Sequence, residues 1–397
     1  MSASRIISDI FERDKYRPII ISISIATIAL IFIWRNHTNL GGVFNGFSTT
    51  HAQMGGDSPI FTSGASALLD GESLNGKQSM YSGYIIAMAF IRYLGFAYDW
   101  IVAVQLSFTI IAAFAIYNLG KELGGYLSGI FASFLLVENP DLAIWNGYIL
   151  TDALYTNCVV ISVFCLFKAN QRKGMWRPIS FIMILSTALI RPTGWALLLT
   201  LVIYLVYRYI SSLRGRLVVS AIALFLFLGL VSQIPSVEKE STVVQNLMKG
   251  TIIWGYDDWR LDMPVENGIE GASLNSGIRY VVSHPAMSLK LAVYHVGVEL
   301  ARVRPYYPAR MNVRIAVGVA MLYVLAVAGL INSYKNPLAP LLCLVIAGHI
   351  ALIAVTFATY NARFSLHFLP LIMVFSGHAI AYIFHWMAHI KRPDMQS

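Results

Sequence analysis

The chain has 397 residues, 57% of them hydrophobic and 12% charged, with a formal net charge of +9. Soluble proteins carry about 25% charged residues, so a mean hydropathy of +0.64 excludes a soluble enzyme, a disordered chain and a disulfide-stapled secreted module. A polytopic membrane protein remains, and its basic residues fall in short clusters between apolar runs, where they set topology rather than bind nucleic acid.

A spanning helix needs about 20 apolar residues, with a range near 17–25. In chain order the runs are 18–34, 100–118, 124–140, 149–168, 176–193, 194–211, 216–234, 312–332, 338–357 and 365–388. The first follows Arg5, Arg13, Lys15 and Arg17, which hold the N-terminus inside, and no A-x-A cleavage pattern follows Trp34. Segment 81–98 is also apolar, but it carries Arg92 and several tyrosines. If it lies along the membrane surface, Lys121, the 168–177 loop, the Arg208-to-Arg216 cluster, Lys335 and Lys391-Arg392 all fall inside; if it crosses, every later loop changes side. The positive-inside rule selects the first arrangement, with ten crossings and both termini cytoplasmic.

The predicted fold is therefore an all-α polytopic membrane bundle of about ten transmembrane helices, with interfacial helices in two long outer loops. Residues 1–234 form a membrane module that includes the first outer loop, 35–99; residues 235–311 form the second loop; residues 312–397 carry the last helices. Both loops are rich in Gly, Asp, Asn, Ser and Tyr, the composition of irregular structure. Cys158 and Cys165 lie seven apart on one run, two helical turns, and are expected with Cys343 to be buried thiols without a bridge.

Ionisable groups near the bilayer are costly and hence functional candidates. Four gather at the outer end of the predicted bundle. Asp57 lies in Gly55-Gly56-Asp57-Ser58-Pro59, where Ser58-Pro59 could start a short helix. Asp152 heads the fourth run, Arg191 follows the fifth, and Arg363 precedes the tenth. Each has a plain structural alternative: a turn former for Asp57, a helix-dipole acid for Asp152, and snorkelling anchors for the arginines. Together they could support glycosyl transfer from a lipid phosphate, with a carboxylate as general base and guanidiniums neutralising the departing phosphate.

In the second outer loop, 297–310 crowds Glu299, Arg302, Arg304 and Arg310 beside Tyr306 and Tyr307. It reads either as a cradle for a donor phosphate or anionic acceptor, or as headgroup contacts and intra-loop ion pairs. Trp254, Tyr256 and Trp259 could stack on sugars or anchor the interface. His378, His385 and His389 share a face of the last run and read as a polar stripe rather than a metal site. There is no D-x-D triplet, Asp257-Asp258 being a bare pair, and no Gly-rich phosphate loop.

Several segments carry a family resemblance: Asp57 in the first loop, SALLDG at 66–71, 81–95, 117–153 from Tyr117-Asn118-Leu119-Gly120-Lys121 to Leu150-Thr151-Asp152-Ala153, and ARFSLHFLPL at 362–371. In this order they resemble the GT-C membrane glycosyltransferases, in the branch of the protein O-mannosyltransferases and the lipid A aminoarabinose transferase. The resemblance implies a GT-C-like bundle in the bacterial inner membrane and a periplasmic site. It also implies inverting transfer of a monosaccharide from a polyprenyl-phosphate carrier to a glycolipid, polysaccharide or protein acceptor. By that likeness Asp57 is the base and Asp152 a second acid that binds acceptor or a cation. Arg363 and Arg191 hold the donor phosphate by the same likeness. From the residues themselves, Arg302 and Arg304 are expected to join them, and Tyr81, Tyr360 and Lys77 are expected to bind substrate. No cofactor is implied with certainty, and a divalent cation is left open. Two departures stand out: no soluble domain follows the last helix, and Ser58 follows Asp57 where the mannosyltransferases have Glu. A polyprenyl-diphosphate glycan polymerase or ligase, a lipid or solute transporter and a non-catalytic scaffold are the competing readings.

Overall fold

A computed structural model describes residues 17–49, 51–172, 174–232, 242–265 and 272–390. Arg5, Arg13, Lys15 and the Lys391-Arg392 tail, which enter the orientation argument, lie outside the described residues, as does the side chain of His389.

The chain opens with α1 (Arg17–Arg35) and α2 (His37–Phe44), followed by α3 (Ser58–Leu69), α4 (Gly76–Ser79) and α5 (Ser82–Tyr93) in the first long connection. Then come α6 (Ile101–Gly124), α7 (Tyr126–Glu138), α8 (Pro140–Trp145), α9 (Thr151–Gln171), α10 (Trp176–Ile190), α11 (Thr193–Tyr209) and α12 (Leu213–Ser232). The second connection holds α13 (Thr242–Met248), β1 (Thr251–Ile253), β2 (Tyr256–Arg260), α14 (Leu274–Ser283) and α15 (Pro285–Ala301). The chain ends with α16 (Ala309–Ser333), α17 (Ala339–Val355), α18 (Arg363–Leu366) and α19 (Leu369–Ile390).

Each of the ten predicted runs is a helix. Among the described residues five, at 18–35, 98–124, 151–171, 309–333 and 369–387, are long and apolar enough to cross a membrane, whereas α7, α10, α11 and α17 are apolar but shorter. Helix α5 has 12 residues, about 18 Å at 1.5 Å per residue. It packs against α3 and α10.

Helix α9 is the hub: 94% of its apolar window is buried, against 6% for α1 and for α16, which form the periphery. An apolar helix without a polar face suits such a centre. Helix α19 packs against α6, α7 and α16. It does so at glycines: a Cβ on Gly377 would strike the Ala132 backbone, and one on Gly329 the Phe375 carbonyl. Small residues at such crossings let helices approach closely where lipid supplies no hydrophobic drive.

The expectation of an all-α chain needs one correction. β1 and β2 form a small antiparallel hairpin, with Thr251 opposite Arg260 and Ile253 opposite Tyr256. Gly255 turns it with φ 81°, a left-handed conformation open to glycine. A buried strand of three residues is too short to leave a periodic signature.

A buried amide network sets the N-terminal end of α9. Gln105 donates to the carbonyls of Asn146 and Tyr148, both at 2.9 Å. Thr109 Oγ1 donates to Asn146 Oδ1 at 3.0 Å and receives Asn157 Nδ2 at 2.8 Å. These bonds pin residues 146–148 against α6 and α9, so the start of α9 is held from two sides.

Candidate active site

The first loop docks directly onto that pinned segment. Gln53 N donates to the Gly147 carbonyl at 2.8 Å, and Ile149 N to the Gln53 carbonyl at 2.9 Å. Gly55 lies against Leu150, where a Cβ would approach Leu150 Cδ1 to 2.7 Å. The buried Ser58 hydroxyl donates to the Ile149 carbonyl at 2.7 Å and accepts from Gly55 N at 2.8 Å. Helix α3 starts at Ser58 with Pro59 in its first turn and Asp57 at its N-cap, as the Ser58-Pro59 pair predicts. Asp57 is thereby carried to the mouth of α9. Its carboxylate stays 31% exposed and pairs with Lys77 at 3.6 Å. Lys77 sits on α4, held by a reciprocal capping box between Asn75 and Gln78.

Asp152 occupies the first turn of α9 and is 2% exposed. Arg191, in the extended residue that closes α10, reaches it with Nη1 at 2.5 Å from Oδ1. Arg363 brings Nη1 to 3.6 Å from Oδ2, and His367 Nε2 lies 3.7 Å from Oδ1. The two guanidiniums also face rings, Arg191 over Phe364 at 5.3 Å and Arg363 over Trp145 at 5.5 Å. Two guanidiniums thus meet one carboxylate, which leaves one positive charge without a counter-charge in the cluster. Partly buried Tyr81 joins this cluster to the first loop. Burial raises the pKa of its hydroxyl, Arg191 and Arg363 pull it down, and Asp57 and Asp152 push it up. Tyr81 therefore lies within the field of all four charges.

The second loop supplies a buttress. Glu299 and Arg304 form a fully buried ion pair at 3.1 Å. Arg304 also donates to the carbonyls of Val298, Val303, Thr359 and Tyr360. All five of its N–H groups are engaged, so the expectation that Arg304 holds a donor phosphate is corrected: it has no donor left to give. The intra-loop ion-pair reading describes it. Glu299 accepts from Thr359 N at 2.8 Å and Ser365 N at 3.1 Å, and so ties down the turn that presents Arg363. Ala362 enters α18 with φ 53°, a strained conformation for a residue with a Cβ, and the Glu299–Arg304 pair holds its neighbours in place.

Arg302 closes α15 with φ 57°. It donates to Asp141 Oδ2 at 2.5 Å and Ser365 Oγ at 3.2 Å, which brings it to the turn that carries Arg363. Tyr360 lies on the rim, 42% exposed, stacked on Tyr306 with centroids 4.3 Å apart and planes 8° from parallel. Arg310 is exposed, and Asp257 pairs with Arg260 on the hairpin.

The fold thus gathers Asp57, Lys77, Tyr81, Asp152, Arg191 and Arg363 into one group, and sets Arg302 and Tyr360 beside it. Sequence reasoning passed over His367, Asp141 and Trp145. His367 stands inside the quoted ARFSLHFLPL segment, four residues past Arg363, one helical turn; Asp141 and Trp145 follow the Asn139-Pro140 break and carry no signal of their own.

A divalent cation does not fit at Asp152. Its oxygens already face two guanidiniums, so a dication would meet like charge. Among the described residues no group of three or more His, Cys, Asp or Glu side chains could hold a metal. His378 lies 3.3 Å from Ser128 Oγ, a helix-packing contact.

No protein-family model and no curated protein matches the chain. Solved structures do. Archaeal oligosaccharyltransferase AglB from Archaeoglobus fulgidus, in complex with an inhibitory peptide and a dolichol-phosphate, is 12% identical with a TM-score of 0.50, over 93% of this chain and 51% of that one. An Archaeoglobus fulgidus oligosaccharyltransferase in complex with zinc and sulfate is 15% identical with a TM-score of 0.49, over 92% and 49%. The chain spans about half the length of these neighbours. At this identity the likeness shows the fold alone, a helical arrangement shared with the AglB structure.

Proposed function

We propose that the chain is a GT-C membrane glycosyltransferase that moves a monosaccharide from a polyprenyl-phosphate carrier to an acceptor on the outer face of a bacterial inner membrane. One observation carries this reading: on a GT-C fold, a buried cluster with a surplus guanidinium charge stands beside a partly exposed carboxylate, at one end of the bundle. A lipid phosphate needs that combination, because its tail stays in the hydrocarbon while its head lies at the water boundary. The chain crosses ten times in this proposal, with the shorter apolar helices and α12 completing the set, and α5 lies in the interface.

The two acids then divide their roles by environment. Asp57, which an acceptor can reach, is the general base. It takes the proton of the acceptor hydroxyl as that oxygen attacks the anomeric carbon from the face opposite the phosphate. The bond from the anomeric carbon to the phosphate oxygen breaks with inversion, and the electron pair leaves on the phosphate. Arg363, loosely held at 3.6 Å and 16% exposed, turns to that charge, and Arg302 stands behind it. Asp152 is a positioning residue that holds Arg191 and Arg363, since its oxygens face cations rather than a reacting hydroxyl. Lys77 orients the Asp57 carboxylate, and Tyr81 closes the gap between the two acids. No step requires a metal.

The test supplies the purified protein with polyprenyl-phosphate-linked sugars and a cell-envelope extract as acceptor, and compares wild type with Asp57→Asn. General-base catalysis contributes about 10²–10⁴-fold, so Asp57→Asn should transfer at least about a hundredfold more slowly. Equal rates would remove Asp57 from the mechanism.

A further inference from the structure

Four tyrosines from three separate segments meet on the rim of the site. Tyr306 stacks face to face with Tyr360, meets Tyr307 edge-on at 5.2 Å, and is tilted against Tyr256 of the hairpin at 5.3 Å. Tyr306 also donates its hydroxyl to the Tyr360 carbonyl, and Tyr307 donates to Asn361 Oδ1 at 3.0 Å. The base of the cluster is rigid, because buried Arg304 grips the carbonyls of Thr359 and Tyr360 at 2.9 Å and 3.0 Å. Tyrosines at a membrane–water interface commonly anchor it with their rings at headgroup level. These are locked to one another, and Tyr360 is three residues from Arg363.

We propose that this tyrosine platform is the subsite for a sugar ring of the acceptor, which makes the acceptor a carbohydrate. Tyr306 covers one face of the Tyr360 ring, and its 42% exposure leaves surface for a partner. An aromatic ring has an electron-rich face, and the C–H face of a pyranose is apolar and electron-poor, so the two match in shape and charge. The Tyr306 and Tyr307 hydroxyls, whose hydrogens go to the Tyr360 carbonyl and Asn361 Oδ1, can still accept from the sugar's hydroxyls. Tyrosine loses little entropy on binding because it has only two side-chain torsions, and here they are already fixed by stacking. The proximity to Arg363 places a bound acceptor next to the donor phosphate. The class of acceptor rests on the transferase reading; the presence of a sugar subsite does not.

The two can be separated by measuring binding and transfer on the same proteins. Wild type, Tyr360→Ala, Tyr360→Trp and Asp57→Asn, purified in detergent, are applied to an array of immobilised bacterial oligosaccharides with immobilised peptides as the control. Wild type should be retained by a subset of glycans and not by peptides. Tyr360→Ala should bind those glycans about tenfold more weakly, Tyr360→Trp should keep binding because it restores a stacking face, and Asp57→Asn should bind like wild type. If wild type retains no glycan, or Tyr360→Ala binds the same glycans as tightly, the platform proposal is overturned. If glycan binding follows Tyr360 while Asp57→Asn transfers sugar normally, the base assignment fails and the sugar subsite stands.

Discussion

A carboxylate that is 2% exposed and touches Arg191 at 2.5 Å and Arg363 at 3.6 Å is held by charges of unequal commitment. Arg191 is the close partner and is itself buried, so it compensates Asp152 in the free protein. Removing one member of a buried pair leaves an uncompensated charge and costs about 3–5 kcal/mol. Arg191→Leu should therefore lower thermal stability in detergent by that order, whereas Arg363→Gln, whose contact is longer and partly exposed, should cost less than about 1 kcal/mol. Equal losses for the two would mean that Arg363 is structural as well. The sequence put these arginines, together with Arg302 and Arg304, forward as phosphate ligands, but it could not tell a fully partnered guanidinium from a free one. Hydropathy registers a charge at a depth and says nothing of its partner. Arg304 is the clear case: a mid-loop arginine beside Glu299 looks like a ligand for phosphate until its five donors are counted. His367 went unnoticed for the opposite reason, since one imidazole in an apolar segment gives no pattern.

At the scale of elements, α19 shows what the residue pattern carries and where it stops. The apolar run 365–388 anticipates the helix Leu369–Ile390, but the Arg363–Leu366 turn before it is set by tertiary bonds from Glu299 to Thr359 and Ser365, which no local rule reads. Helix positions were legible because a span must be apolar throughout; the hairpin and the 359–365 turn were not, because long-range contacts define them. The glycines of this helix pair give a test. Gly377 abuts the Ala132 backbone of α7, so Gly377→Leu must push the two helices apart. Overpacking of this kind costs about 1–3 kcal/mol, and a corresponding drop in the melting temperature is expected, with a smaller one for Gly377→Ala. An unchanged melting temperature for Gly377→Leu would show that α7 and α19 are not in such close contact.

For the whole molecule, the charge distribution becomes a statement about sides. The loops at 168–177 and 208–216 carry lysines and arginines, and the connection that holds Asp57 lies at the opposite end of the bundle in the proposed topology. In a background without Cys158, Cys165 and Cys343, a cysteine at exposed Asp70 should react with a membrane-impermeant maleimide in cells whose outer membrane is permeabilised and whose inner membrane is intact. One at exposed Ser212 should react only after the inner membrane is opened. The reverse pattern would invert the topology and move the site inside. The central claim is that the end of the bundle marked by Asp152 receives a lipid phosphate. It is tested most directly by the affinity of the purified protein for polyprenyl phosphate against uncharged polyprenol of equal length, in wild type and Arg363→Gln. Charge-assisted contacts are worth about 1.5–3 kcal/mol, so wild type should favour the phosphate by at least about tenfold and Arg363→Gln should lose that preference. Equal affinity for the two lipids in wild type, or a preference that survives in Arg363→Gln, would contradict the account.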